Sequence, residues 1–413
     1  MRGHGLSERP VETPLTDLRV VDFTHFIAGP FCTMILADFG AEVIKIESPD
    51  GGDGFRQYPP FRDGEGAPYL WTNRNKASVA LDLKTEAGRE VALALMEKAD
   101  VVVENFSTGV MQRLGLDYET LKARNAGVVY CSISAYGRKG PHADRTGFDP
   151  IAQAESGFIS MNGRPDGEGM RAGPSIMDMS TAMMSCNAIL AALHARARTG
   201  KGQLIETNLL GTAVNMLGNF HTAYLMSGVS PTRFGNWQVT AAPVGAFATR
   251  TGPVQIACAN DSTFKRMMTD VLNRPDVADD PRFNTSAGRR ANNEALKAIV
   301  AEALAKGTRE DWLAAMRKAG VPGGAVRTVG EALDSEEVRA LGIIGEAPHD
   351  KLGRIPNVGL PVTFSETPMR KPHGAPMLGA QTKEALARVL SFSEERLALL
   401  ARAGAFGTKL QET

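Results

Sequence analysis

Asp178 is the residue best placed for covalent chemistry. It follows a glycine-rich, aperiodic stretch (137–178) and precedes a long helix, in the order Pro174-Ser-Ile-Met-Asp178. Irregular chain of that length is usually functional. Read as an N-cap, an Asp contributes about 1 kcal/mol to a helix start. Read as a reactive group, a carboxylate at a helix N-terminus is held as the anion by the dipole and the free N–H groups. It would then serve as a nucleophile toward an activated acyl group, with the same N–H groups holding a developing oxyanion. The two readings are compatible. His25, at the end of the first strand, reads first as a packed histidine tied to backbone. Lys76, Arg113, Lys139 and Arg145 could form a cationic rim for phosphates, although each alone is an ordinary surface charge. Ser/His/Asp hydrolysis lacks its G-x-S-x-G turn. The seven histidines show no H-x-x-x-H pair, which speaks against a metal enzyme.

These side chains need a scaffold, and Leu18–Glu47 supplies its start. Leu18, Val20, Val21 and Phe23 read as a strand covered on both faces. Pro30 suits the first turn of a helix, Phe31, Met34, Ile35 and Phe39 recur at helical spacing, and Gly40 ends the element. Val43–Ile46 is the next strand. This βαβ unit begins a doubly wound sheet, whose ligands bind beyond the carboxyl ends of the strands. The turn gives a dinucleotide only weak support, because Gly29 alone stands where G-x-G-x-x-G is needed.

Further strands read at Ser78–Asp82, Asp100–Glu104, Gly127–Ser134 and Gln203–Asn208, with helices at Gly88–Glu97, Tyr118–Arg124 and Met179–Thr199. The alternation predicts an α/β fold, a Rossmann-like parallel sheet. Residues 1–14 read as a loose N-terminus, 15–227 as the large domain and 228–330 as a smaller α+β domain. In the latter, Gly245–Thr249 and Val254–Cys258 form a hairpin and Val321–Val326 an edge strand. Residues 331–413, with Pro356, Pro361, Pro368, Pro372 and Pro376, read as an extended return completing the large domain.

The 413 residues carry 46 basic and 46 acidic side chains, so no field points to nucleic acid or a membrane surface. Cys32, Cys131, Cys186 and Cys258 lie in apolar segments without a C-x-x-C pair and read as buried thiols in a reducing, cytoplasmic compartment. No apolar run reaches the ~18 residues of a membrane span. The polar first segment is no signal peptide.

Taken in order, Leu18–Pro30 (LRVVDFTHFIAGP), Ala37–Glu47 (ADFGAEVIKIE), Asn75-Lys76, Leu81–Lys84 (LDLK), Val103–Gly115 (VENFSTGVMQRLG), Gly147–Phe158 (GFDPIAQAESGF) and Thr199–Gln203 (TGKGQ) resemble the family III CoA-transferases. That group includes formyl-CoA and carnitine CoA-transferases and the related 2-methylacyl-CoA racemases, and the resemblance covers residues 15–400. It implies that Asp178, thirty residues past Phe148, is the nucleophile. It implies coenzyme A contacts at His25, Ala28, Leu81, Asp82, Leu83, Lys84, Asn105, Phe106, Ser107, Arg113, Arg145, Thr146, Gly147 and Phe148. It further implies acyl-CoA and carboxylic acid substrates, no tightly bound cofactor, and an interlocked homodimer. Racemases carry a histidine at the position of Phe148, and phenylalanine moves no α-proton. Formyl-CoA transferases carry glutamine at the position of Ile27 and a glycine lid where this chain has Phe234–Gln238, which implies an acceptor other than formate or oxalate. Arg233 and Arg250 are candidates to recognise a second carboxylate. An acyl-CoA racemase, or a non-catalytic acyl-CoA-binding protein, is the alternative reading.

Overall fold

The apolar run after Leu18 forms strand β1 (Arg19–Asp22) in the computed structural model, which describes residues 12–238 and 240–407. Of the N-terminal segment expected to be loose, residues 1–11 lie outside that description. β1 feeds helix α1 (Ala28–Asp38) and then β2 (Glu42–Glu47), the expected βαβ unit. Strands β3 (Lys76–Ala80), β4 (Val101–Glu104), β5 (Val129–Ser134) and β6 (Leu204–Asn208) complete a six-stranded parallel sheet of order β3-β2-β1-β4-β5-β6. Successive strands are added outward on both sides, so the order reverses between β1 and β4. The fold class read from the sequence is the one found.

Both faces of the sheet are covered. On one, Phe31, Met34 and Ile35 of α1 meet Ala182, Cys186 and Ile189 of the long helix α4 (Ile176–Thr199), which follows the short α3 (Asp149–Glu155). On the other, Val91, Leu95 and Met96 of α2 (Glu86–Glu97) pack with Val21, Ile44 and Val102 of the sheet and with Leu386, Leu397 and Leu400 of two C-terminal helices. Burying such side chains contributes roughly 1.5–3 kcal/mol each before chain entropy is counted. α2 begins where Thr85 accepts a hydrogen bond from Gly88 N–H, an N-cap legible in the sequence.

α4 corrects two expectations. It starts three residues before Met179, so Asp178 sits inside the first turn and Ser175 occupies the N-cap without a side-chain bond. It is also long and apolar enough, by length and composition only, to cross a membrane, contrary to the expectation that no run has that length. Ser, Thr and Asn interrupt the apolar residues, which hid the length; the helix uses Ala182, Cys186, Ile189 and Ala192 to pack in the core.

The chain divides into two compact units. The first holds the sheet and comprises residues up to 158, 172–222 and those from 339 on; the second comprises 159–171 and 223–338. The second has its own antiparallel sheet, β7 (Val244–Phe247), β8 (Val254–Ala257) and β9 (Gly323–Ala325), where hairpin and edge strand were expected. Its core centres on Phe247, Ile256, Phe264, Phe283 and Leu296. Trp237 packs edge-to-face on Phe247 at 5.1 Å, against Gly245, where any Cβ would strike the indole. The C-terminal stretch read as an extended return holds the hairpin Ile344–His349 and Gly353–Val358 and the two helices; Pro361, Pro368, Pro372 and Pro376 lie in irregular chain between them.

Candidate active site

His25 follows β1 and Asn105 follows β4, so the two residues flank the reversal of strand order where a doubly wound sheet opens a crevice. They lock the two loops together: Asn105 Oδ1 accepts from His25 N–H at 2.9 Å, and Asn105 Nδ2 donates to the His25 carbonyl at 2.9 Å. A cavity opens there. The structure brings His25, Ala28, Asn105, Phe106, Ser107, Arg145, Thr146, Gly147, Phe148 and Asp178 to its wall, all from the first unit. It does not bring Leu81, Asp82, Leu83, Lys84 or Arg113 there. Leu81 is a core side chain, Asp82 Oδ1 caps the turn by accepting Lys84 N–H at 3.0 Å, Leu83 packs on the α2 core, and Lys84 and Arg113 are exposed.

The electrostatics of Asp178 differ from the expectation. The free N–H groups foreseen at the helix start are occupied. Asp149 Oδ2 accepts from Met177 N–H at 2.7 Å and Asp178 N–H at 3.3 Å, Ile176 N–H donates to the Pro174 carbonyl, and Met179 N–H to the Ser175 carbonyl. They are thus not available to an oxyanion. Burial, with the charge of Asp149 second, pushes the Asp178 carboxyl up to about 7, so it is not the stabilised anion that the N-terminal position alone predicts. The Asp178 carboxylate makes no hydrogen bond or ion pair among the described residues.

Below His25 lies a network of buried charges. Asp22 Oδ1 accepts from Thr24 N–H (2.8 Å) and Thr24 Oγ1 (2.6 Å), and Oδ2 from Thr33 Oγ1 (2.7 Å) and Lys76 Nζ (3.0 Å). Lys45 Nζ donates to the Thr24 carbonyl at 2.6 Å and pairs with Asp53 at 3.0 Å. Glu47 holds Arg56 through two bonds of 2.8 and 2.9 Å and accepts Ser78 Oγ–H at 2.6 Å. Lys76 is therefore buried within this network and is no rim cation. Burial opposes its charge and lowers its pKa to about 8. His25 packs its ring on Phe106 at 5.4 Å; burial, then Lys45, lowers its pKa, leaving a neutral imidazole at pH 7. The imidazole is packed as expected, but among the described residues no hydrogen bond ties the ring to backbone, and it also faces the cavity.

Other expected cations are engaged. Arg145 pairs with Glu155 at 2.6 Å and stacks on Tyr136 at 4.2 Å, Lys139 is exposed beside Glu206, and the Arg233 guanidinium donates to the carbonyls of Arg164 and Gly167. Arg250 is exposed in the second unit.

Two site-building residues escaped the sequence reading. Asp149 caps α4 from another helix; its signal was a lone Asp before Pro150, read only as part of a motif. Arg138 is the second. It donates to Ser132 Oγ (2.7 Å), Glu104 Oε1 (2.9 Å) and the Phe106 carbonyl (2.7 Å), fixing the loop that carries Asn105 to Ser107. The clue was Glu104 at the end of a buried strand: burial raises its pKa, which a nearby cation must oppose.

Residues 15–382 match the model of CoA-transferase family III. The chain is similar to a succinate–glutarate CoA-transferase of Agrobacterium fabrum, 38% identical over 91% of this chain and 96% of that protein. It is 39% identical to an acetyl-CoA:oxalate CoA-transferase of Acetobacter aceti, over 89% and 94%. Among solved structures, a CaiB/BaiF family protein from Brucella suis superposes with a TM-score of 0.83 at 37% identity, covering 92% of this chain and all of that one.

Proposed function

The chain belongs to CoA-transferase family III and is a CoA-transferase, and from this premise we propose that it moves CoA from an acyl-CoA donor to a free carboxylic acid through an aspartyl-CoA thioester on Asp178. The observation that carries this reading is the Asp178 carboxylate, facing the cavity at the strand-order reversal without a hydrogen-bond or ion-pair partner among the described residues. A structural carboxylate would be paired.

In this reading an Asp178 oxygen attacks the donor carbonyl carbon, the C–S bond breaks, and a mixed anhydride forms with CoA thiolate released. The thiolate attacks the aspartyl carbonyl, giving the enzyme thioester and the donor carboxylate. The acceptor carboxylate then displaces CoA to form a second anhydride, and the thiolate reopens it at the acceptor carbonyl. New acyl-CoA leaves and Asp178 is restored. Covalent catalysis keeps the thioester's energy through each exchange. The cavity loops at 25–28, 105–107 and 145–148 suit the pantetheine end of CoA, and the exposed Lys84 and Arg113, outside the cavity, suit its nucleotide end. CoA is a substrate here, with no tightly bound cofactor required.

The acceptor class this reading favours is a short dicarboxylic acid, because the relatives are named for glutarate and oxalate. Ile27 on the cavity wall argues against oxalate itself. A homodimer is supported by the exposure of Leu225, Met226 and Val229, each more than 70% accessible. A reducing, cytoplasmic setting is supported by four free, buried cysteines.

The test is to incubate the protein with succinyl-CoA and other acyl-CoAs, quench with hydroxylamine and map the adduct. Modification at Asp178 is expected; α-deuterium exchange without modification would indicate the racemase reading instead. A second expectation concerns pH. The nucleophile must be ionised, so kcat/KM should rise about tenfold per pH unit below about 7 and then level. Asp149→Asn removes the neighbouring charge that helps raise the Asp178 pKa, so the rise should move to lower pH. A profile unmoved by that substitution would deny Asp149 this influence.

A further inference from the structure

Resting on the assignment of Asp178 as nucleophile, we infer that Phe26 is a specificity-determining residue of the transfer reaction: its ring shields the acyl-enzyme from water, so that transfer wins over hydrolysis. Phe26 stands at φ +66°. Left-handed backbone is strained for a bulky side chain, and such strain persists only where surrounding structure imposes it, commonly at functional sites.

The surrounding structure is explicit. Phe26 N–H donates to Asp53 Oδ1 at 3.1 Å, and Asp53 is fully buried. The second oxygen of Asp53 lies 3.0 Å from Lys45 Nζ, which also donates to the Thr24 carbonyl at 2.6 Å. One buried ion pair therefore grips the chain on both sides of His25. The ring is fixed as firmly. It meets Phe55, Tyr58 and Phe148 edge-to-face at 5.5, 6.2 and 5.9 Å. Gly54 leaves room for it, since a Cβ there would come within 2.9 Å of the ring.

Phe26 and Phe148 both line the cavity that holds Asp178. Phe148 is 60% exposed, whereas Phe26 is partly buried, its ring packed against the core beneath the cavity, so the pair forms an apolar wall between core and cavity. Two aromatic faces give water no hydrogen-bond partner, and a water molecule needs two to four. In the unwanted reaction water adds to the aspartyl thioester carbonyl, the C–S bond breaks, CoA leaves as the thiol and Asp178 returns as the carboxylate. The net result is hydrolysis of the acyl-CoA, which the apolar wall opposes.

Phe26→Gly removes the ring and relieves the φ strain, and Phe26→Leu restores apolar bulk. Two quantities are read from the same samples: the aspartyl-CoA adduct by intact mass, and the ratio of CoA released without acceptor to CoA transferred with succinate as acceptor. Phe26→Gly is expected to form the adduct and raise that ratio about tenfold or more, with Phe26→Leu returning most of the way. An adduct with an unchanged ratio in Phe26→Gly overturns the inference. Absence of the adduct in the wild-type protein overturns the Asp178 assignment, and this inference with it.

Discussion

Asp178→Asn is expected to lower CoA transfer by roughly a thousandfold or more, because in the proposed mechanism it deletes the group that forms both anhydrides and the enzyme thioester. The amide is nearly isosteric and the helix start is capped from Asp149, so the fold should persist. Stability should move the other way. The Asp178 carboxyl titrates near 7 in the folded chain, above the ~3.9 of an unfolded aspartate. The folded state therefore binds more protons than the unfolded state between those values. The associated stability is fully present below about pH 4 and is lost as pH rises through about 7. An asparagine loses nothing over that window. The variant should unfold at a higher temperature than wild type at pH 8, by a difference on the order of 1 kcal/mol after allowing for solvent access, and no higher at pH 4. Retained transfer, or a variant less stable at pH 8, would count against this account of the carboxyl.

The second large effect is structural. Lys45→Met should destabilise the sheet unit by about 3–5 kcal/mol, since it leaves Asp53 buried without its cation. Burial opposes the charge of Lys45, yet Asp53, Asp22 and Glu47 outweigh it and hold its pKa above the usual lysine range. Lys45 also ties the Thr24 carbonyl, so the loop presenting His25 should loosen with the pair. Chemical denaturation followed by circular dichroism measures the change. A loss below about 1 kcal/mol would show that the network is replaceable by apolar packing. On the acid side, burial opposes the ionised Asp22, but Lys76, Lys45 and the two threonines hold its carboxyl well below the usual range. Its contribution is present above about pH 4 and is lost only in strong acid.

Short, strongly patterned elements were legible in the sequence. Val20-Val21, Val43–Ile46 and Val101–Val103 announced buried parallel strands because both sheet faces are covered by helices. Thr85, Gly40 and Gly200 marked helix ends through local chemistry alone. The cavity wall was legible where residues follow strands, as His25 and Asn105 do. What stayed hidden depends on contacts distant in sequence. Nothing around Asp178 in the chain announces that Asp149 will take its N–H groups, so the helix start seemed free and the carboxyl ionised. Lys76 and Arg138 likewise reveal their roles only once Asp22 and Glu104 are seen buried beside them. A charge's meaning is set by its burial, which pattern alone does not give.

The most direct test of the central claim follows oxygen. A single turnover is run with an acceptor acid carrying oxygen-18 in its carboxylate, and the peptide containing Asp178 is isolated and weighed. If the acceptor displaces CoA from an aspartyl thioester, one of its oxygens bridges the anhydride and remains on Asp178 when CoA departs with the acceptor acyl group. The account predicts one labelled oxygen on that side chain, reaching the donor acid only on a later turnover. Label passing straight from acceptor to donor acid, with Asp178 unlabelled, would contradict it.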